Sequence, residues 1–233
     1  METSSTILAL DFTGVGAAQS FGSLPIARTA RRVDPLGAHF DRRRAITEQA
    51  AELCEQLGEA PRHVFGYCSG AVLAATVAAC FRERTGTEPQ VVLFDPDPVG
   101  PDYVRDEFAL LFASLGGVPP VTTGADLTWY EQRLADLRPD LVRDAGGDEA
   151  AGELVDYLLA RHRAWLRFLD ACAEAPPASL EGVVSVITGR KAVTLAGVLT
   201  RPERHVAFQG DAPEGALLAH PSTESLVRAA LMR

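Results

Sequence analysis

Short apolar runs recur along the chain, and longer stretches with apolar residues at helical spacing separate them. Runs bounded by polar or turn residues predict buried strands, and they lie at 7–10, 63–67, 90–94, 183–187 and 205–208, with a shorter candidate near 30–33. Helical spacing is found at 41–57 and 69–84, and a last helix is predicted from about Ser222 to Leu231, capped by Ser222 or Thr223. Strands that alternate with helices predict βαβ units and a mostly parallel sheet.

Residues 101–180 interrupt this alternation. They carry helical patterns with almost no strand signal, and paired prolines or glycines divide them at 119–120, 146–147 and 176–177. We expect a set of helices that covers the sheet as a lid. The whole chain, 1–233, is then a single α/β domain with a core at 1–100 and 181–233 and a lid at about 101–180.

The composition of the 233 residues is that of an ordinary globular protein, with 47% hydrophobic and 23% charged residues. The net charge of −9 argues against nucleic acid or an anionic membrane as the main partner. The chain does not begin with a basic region and a long apolar stretch, and no apolar run is long enough to span a bilayer. We therefore expect a reduced, cytoplasmic protein.

The pentapeptide Gly66-Tyr67-Cys68-Ser69-Gly70 has the spacing of a nucleophile elbow, with cysteine where serine is usual. A strand is predicted before it and a small-residue helix after it, which is the context that this motif requires. Cys68 would lie at a helix N-terminus, where the partial positive charge favours a thiolate. The alternative is a buried structural cysteine beside two incidental glycines.

The other cysteines give no sign of a metal site. Cys54, Cys80 and Cys172 show no CxxC or other metal-ligand spacing, and the first two lie in apolar helical patterns that predict core positions.

Together, the first strand and loop, the elbow, an acid after the next strand, the helical lid and the final helix resemble one family over most of the chain. It is the thioesterase branch of the α/β-hydrolases, the type II and terminal thioesterases of nonribosomal peptide and polyketide synthesis. The resemblance implies an α/β-hydrolase fold and an acyl-enzyme mechanism. It also implies an acyl or peptidyl carrier protein as partner, a small-molecule acyl substrate on a phosphopantetheine arm, and no cofactor or metal.

The resemblance assigns roles to several residues. Asp95, 27 residues after Cys68, takes the place of the acid that orients an imidazole, and Asp97 on the same turn is a weaker candidate. The amide of Ser69 would be one oxyanion donor. The second donor would come from the loop after the first strand, where Gly14 is preferred and Thr13 is next, although the family's proline is missing there.

Five histidines are present, at positions 39, 63, 162, 205 and 220, and His220 is the candidate base. The family places its catalytic histidine a few residues earlier and a second, non-catalytic His-Pro afterwards. His220-Pro221 matches the second, and Glu214 falls in the catalytic position. Either the loop brings His220 to Cys68, or the triad is incomplete.

A cysteine nucleophile changes the chemistry, because its acyl-enzyme is itself a thioester and stays activated for transfer. A thiolate also depends less on a general base than a hydroxyl does. Three functions are compatible with this. They are release of an acyl, aminoacyl or peptidyl group by hydrolysis or cyclisation, transfer of the group through Cys68 to another thiol or amine, and a catalytically idle scaffold.

The acyl pocket is predicted from aromatic residues near the elbow and in the lid. The candidates are Tyr67, Phe112, Trp129 and Trp165. The same spacing is also typical of core packing.

Overall fold

A computed structural model describes residues 6–12, 19–37, 44–118, 125–190, 193–213 and 215–232. Six strands in these ranges form one parallel sheet with the order β2-β1-β3-β4-β5-β6. The strands are β1 (Ile7–Leu10), β2 (Arg31–Val33), β3 (His63–Tyr67), β4 (Gln90–Phe94), β5 (Val184–Thr188) and β6 (His205–Gln209).

Seven α-helices are described in the same ranges. They are α1 (Ile46–Leu57), α2 (Gly70–Thr85), α3 (Pro101–Ser114), α4 (Leu127–Asp136), α5 (Arg138–Asp144), α6 (Glu149–Glu174) and α7 (Pro221–Leu231). Short 3₁₀ turns lie at Phe21–Ser23, Pro25–Thr29 and Leu217–Ala219.

The sheet is covered on both faces, because successive side chains of a strand point to opposite sides. On β1, Leu8 and Leu10 pack into the cluster that contains α1, α2 and the helices between β4 and β5. Ile7 and Ala9 pack into a second cluster with the 3₁₀ turns and α7. Burial on both faces explains why the central strands β1, β3, β4 and β5 are nearly continuous apolar runs, whereas the edge strands β2 and β6 are more exposed.

Phe12, which follows β1, joins α6 to the sheet. Its ring lies 5.2 Å from Trp165 and 4.8 Å from Phe168, measured between ring centroids. Arg161 on α6 also forms a salt bridge with Asp34, the residue after β2, at 2.9 Å. The helices between β4 and β5 are therefore fastened to the sheet through side chains of α6.

The predicted α/β class and the mostly parallel sheet are confirmed, and each predicted strand is found within about one residue. Three helix starts differ from the prediction. Helix α1 starts at Ile46 rather than 41, with 41–43 outside the described residues, and α2 starts at Gly70. Helix α7 starts at Pro221 with His220 as its N-cap, because proline is favoured in the first turn.

Ser222 and Thr223, the predicted N-caps of α7, form side-chain hydrogen bonds with other partners. The hydroxyl of Thr223 donates to the carbonyl of Leu217 at 2.6 Å. Ser222 hydrogen-bonds with the ring of His220 and with Asp211.

Candidate active site

The turn between β3 and α2 presents Cys68 at the carboxyl edge of the sheet. Cys68 has φ of 53°, in the left-handed region, and its side chain is partly exposed. Its amide donates to the carbonyl of Phe94 at the end of β4, at 2.9 Å. A non-glycine residue in this region costs about 1–3 kcal/mol and persists where its surroundings hold it. The neighbouring strand therefore fixes the strained backbone that aims the thiol.

The two glycines of the pentapeptide are required by close packing. A Cβ on Gly66 would lie 2.7 Å from the Cβ of Ala74 and 2.9 Å from the carbonyl oxygen of Gly70. A Cβ on Gly70 would lie 2.8 Å from the ring of Phe12. Such separations are shorter than real Cβ contacts allow, so these glycines let α2 pass close to β3 and to Phe12, the second residue after β1.

Two side chains of the described residues, Asp97 and Tyr103, contact the Cys68 sulfur. The thiol donates to Oδ2 of Asp97 at 3.8 Å, and the sulfur also lies 3.5 Å from the hydroxyl of Tyr103. Asp97 belongs to the segment between β4 and α3, and Tyr103 is in the first turn of α3. The segment from the end of β4 to the first turn of α3 therefore supplies two polar contacts of the candidate nucleophile.

The Tyr103 phenol is held in its neutral form. Burial raises the pKa of Tyr103 far above its usual value, and the charge of a neighbouring Cys68 thiolate raises it further. A neutral phenol can donate a hydrogen bond throughout the physiological pH range.

Asp95, the predicted acid, is buried in the turn after β4. It has φ of 40°, and its amide donates to the carbonyl of Ile187 at 3.0 Å. Its Oδ1 accepts a hydrogen bond from the amide of Gly189 at 3.0 Å. These contacts join the ends of β4 and β5.

His220, the predicted base, lies at the N-terminus of α7. Its Nδ1 is 2.8 Å from the hydroxyl of Ser222 and 3.6 Å from Oδ1 of Asp211. The side chain of His220 is 27% exposed and that of Asp211 is 73% exposed. The structure thus associates the imidazole with Asp211, whereas the described contacts of the Cys68 sulfur are with Asp97 and Tyr103. The assignment of His220 and Asp95 to a triad stays a prediction.

The oxyanion donors are described in part. Ser69 is the N-cap of α2, so its amide lies at the N-terminus of a 16-residue helix. Its hydroxyl is buried and has no hydrogen-bond partner among the described residues. Gly14 and Thr13, the candidates for the second donor, lie outside the described residues, as does Glu214. Strand β1, which precedes Thr13 and Gly14 in the sequence, pairs directly with β3.

Tyr67, a predicted pocket residue, has a described structural contact. Its hydroxyl accepts a hydrogen bond from Nε2 of Gln19 at 2.7 Å, while Oε1 of Gln19 accepts from the amide of Leu218. Burial raises the pKa of Tyr67 to about 12, and Cys68 adds to the increase. Gln19 thus connects the elbow to the segment that leads into α7.

The three lid aromatics contribute to packing among the helices. Phe112 and Trp165 are each only 2% exposed. Trp129 is partly buried and packs edge-on against Phe108, at 5.8 Å between ring centroids, and the indole of Trp165 donates to Glu107 at 3.1 Å. A cavity of about 410 Å³ lies between the ends of α3, α4 and α6, and Tyr130 and Val104 are among its lining residues.

Two contributors to this site, Tyr103 and Gln19, are absent from the sequence-based candidates, and Asp97 is among them only as a weaker alternative to Asp95. The signal for Tyr103 is its place in the first turn of a helix that begins directly after the acidic turn. The sequence gives that position, but the direction of the side chain depends on how α3 packs.

Among the residues that the structure describes, no three side chains of His, Cys, Asp or Glu come together as metal ligands would. No described helix has the length and apolar character needed to cross a membrane.

The chain is similar in sequence to a family of known proteins. The sequence model of the alpha/beta hydrolase family matches residues 2–227. A search of curated proteins found no match.

Solved structures share the fold at low sequence identity. The NocB thioesterase domain, in covalent complex with a fluorophosphonate nocardicin G analog, is 18% identical, and the match covers 97% of this chain and 93% of the NocB chain with a TM-score of 0.57. YbtT, a type II thioesterase from the yersiniabactin NRPS/PKS biosynthetic pathway, is 17% identical, and the match covers 99% of this chain and 93% of the YbtT chain with a TM-score of 0.55. Holo-AB3403, a four-domain nonribosomal peptide synthetase bound to AMP and glycine, is 16% identical, and the match covers 97% of this chain but 19% of the synthetase, with a TM-score of 0.57.

Proposed function

The chain belongs to the alpha/beta hydrolase family, and we propose that it is a thioesterase-like enzyme in which Cys68 takes an acyl group from a carrier-protein thioester. The observation that carries the proposal is the left-handed Cys68 between β3 and α2, with φ of 53° and a partly exposed thiol. A structural cysteine has no need of a strained backbone, whereas a nucleophile must be lifted clear of the sheet.

The site lies where an open parallel sheet favours ligand binding. The chain runs outward from β1 to β2 and then returns to place β3 on the other side of β1. Ligands bind at the carboxyl ends of strands at such a switch point. Cys68 follows β3 directly, so an acyl group in the crevice would meet the thiol.

The thioester class of substrate is supported by solved structures with the same fold. The NocB domain and YbtT are both named thioesterases, and YbtT comes from an NRPS/PKS pathway. We accordingly propose a phosphopantetheine-borne acyl, aminoacyl or peptidyl group as substrate and its carrier protein as partner, with no cofactor.

In the loading step, the Cys68 sulfur attacks the thioester carbonyl and the pantetheine sulfur leaves with a proton. The developing oxyanion would be stabilised by the amide of Ser69 and by a donor from the loop after β1, for which Gly14 and Thr13 remain the candidates. The product is a Cys68 thioester, which is about as activated as the substrate. Its acyl group then passes to water, to an internal nucleophile in cyclisation, or to an external thiol or amine.

The first test is intact mass spectrometry after incubation with hexanoyl-S-pantetheine. We expect one hexanoyl adduct on the wild-type chain and none on Cys68→Ala. Cys80→Ala is the matched control, because Cys80 is the other partly exposed cysteine described. This variant should form the hexanoyl adduct as the wild type does. Ser69→Ala should also retain most of it, since the proposal uses only the backbone amide of Ser69.

The fate of the adduct separates the possible functions. Decay in water indicates hydrolysis, and a stable adduct that is discharged by an added thiol or amine indicates transfer. Failure of the wild type to form any adduct, or an undiminished adduct on Cys68→Ala, would contradict the proposed enzyme. Failure to form one would favour the idle scaffold.

A further inference from the structure

Two polar groups described at the Cys68 sulfur come from one short segment of the chain. Oδ2 of Asp97 is 3.8 Å from the sulfur and the hydroxyl of Tyr103 is 3.5 Å from it. The amide of Asp97 also reaches the carbonyl of Cys68, at 3.5 Å. The segment is therefore bound to the elbow through main chain and side chains together.

The predicted base and the predicted acid have described contacts of their own. His220 caps α7 and contacts Ser222 and Asp211 through Nδ1. The predicted acid, Asp95, accepts from the Gly189 amide. The described contacts of the sulfur itself are with Asp97 and Tyr103.

We propose that Asp97 carries the proton and Tyr103 donates the stabilising hydrogen bond for the chemistry of Cys68, in place of an imidazole. The inference rests on the proposed function, since it assigns catalytic roles within the same site. A carboxylate is an established general base, and the thiol already donates to Asp97 in this geometry.

During loading, the Cys68 thiol gives its proton to Asp97 as the sulfur forms a bond to the thioester carbon. The bond between that carbon and the pantetheine sulfur then breaks, and the departing sulfur takes the proton from Asp97. The carboxylate is regenerated, so no net proton is consumed.

During release, the acceptor gives its proton to Asp97 as it attacks the carbonyl carbon of the acyl-enzyme. The bond from carbon to Cys68 breaks, and the sulfur regains a proton from Asp97. Tyr103 donates to the Cys68 sulfur while that sulfur carries negative charge. Because burial raises the pKa of Tyr103, its phenol stays neutral and available as a donor.

The two groups have opposite effects on the resting thiol. A carboxylate beside the sulfur disfavours the thiolate, since like charges repel, and a phenol donor favours it. Removing the charge of Asp97 should therefore make Cys68 more reactive towards a simple alkylating agent and less active in acyl transfer. A residue with only a structural role would not move the two rates in opposite directions.

The test compares Asp97→Asn, Tyr103→Phe and His220→Ala with the wild type in two assays. One is the rate of iodoacetamide alkylation of Cys68 against pH, followed by mass. The other is the rate of acylation by hexanoyl-S-pantetheine. Asp102→Asn, an exposed carboxylate on α3, and Tyr130→Phe, a buried phenol on α4, are the matched controls.

For Asp97→Asn we expect acylation to fall on the order of a hundredfold, the usual scale for a general acid–base group. Alkylation at pH 7 should rise several-fold, with its pH profile shifted to lower pH. Tyr103→Phe should slow acylation about tenfold, as loss of a hydrogen bond to a charged group does, and should shift the alkylation profile to higher pH. His220→Ala and both controls should stay within about threefold of the wild type in both assays, well short of a general-base effect.

A hundredfold loss in His220→Ala with little change in Asp97→Asn would overturn the inference, and so would slower alkylation of Asp97→Asn. If the wild type is not acylated at all, the proposed function fails. The alkylation profiles then still decide whether Asp97 and Tyr103 act on the sulfur.

Discussion

Cys68 and Asp95 are the two non-glycine residues of the described chain with positive φ, at 53° and 40°. They directly follow β3 and β4, two neighbouring strands. A main-chain bond from Cys68 to Phe94 and another from Asp95 to Ile187 hold the two residues in place. Such strain concentrates at functional sites, where the surrounding structure fixes it.

Gly66 provides a stability test of the elbow. Gly66→Ala should lower the free energy of unfolding by about 1–3 kcal/mol, the usual cost of overpacking, because the new Cβ would meet Ala74 and the Gly70 carbonyl. Gly152→Ala is the control, since a Cβ at this position within α6 would find only Arg138, at 3.8 Å. Alanine should stabilise that helix by about 0.5–1 kcal/mol. Urea denaturation measures both, and equal effects at the two positions would contradict the packing argument.

At the scale of elements, the sequence predicted the four central strands well because β1, β3, β4 and β5 are apolar runs buried on both faces. The position of the elbow was also predictable, since the glycine spacing and its flanking strand and helix are local signals. The groups around the sulfur were not predictable in this way. Tyr103 and Asp97 reach Cys68 across 35 and 29 residues, and their direction depends on the packing of α3.

Strand β3 begins with a buried histidine, His63, so the pH dependence of stability tests how the sheet is packed. Burial lowers the pKa of His63 below its ordinary value of 6.5, and the charge of Arg62 adds to this. The folded state therefore binds the proton less well than the unfolded state, so this contribution to stability is lost as pH falls below about 6.5.

We expect the denaturation midpoint of the wild type to fall more steeply between about pH 6.5 and 5 than that of His63→Leu, since the window starts at the ordinary histidine pKa. Both proteins keep all other titrating groups, so the difference between the two curves reports His63. Parallel curves would show that His63 is not buried in its neutral form.

At the scale of the whole molecule, the proposed site lies in the crevice at the carboxyl ends of the strands, where the strand order reverses. Cys68 lies at the switch point between β1 and β3, and the segment that leads into the lid supplies the groups on its sulfur. Phe12 connects the same region to α6 through Trp165 and Phe168. The proposed nucleophile, the proposed proton carrier and the helices between β4 and β5 are therefore packed together, so a substitution in those helices should change the reactivity of the sulfur.

The measurement that tests the central claim most directly is the location of the acyl group on the wild-type chain. After incubation with hexanoyl-S-pantetheine, acid quenching and proteolysis, tandem mass spectrometry identifies the modified residue. We predict a hexanoyl group on Cys68 that neutral hydroxylamine removes, as it removes thioesters. A hexanoyl group on another residue, or an unmodified Cys68 in a chain that turns over the thioester, would contradict the account.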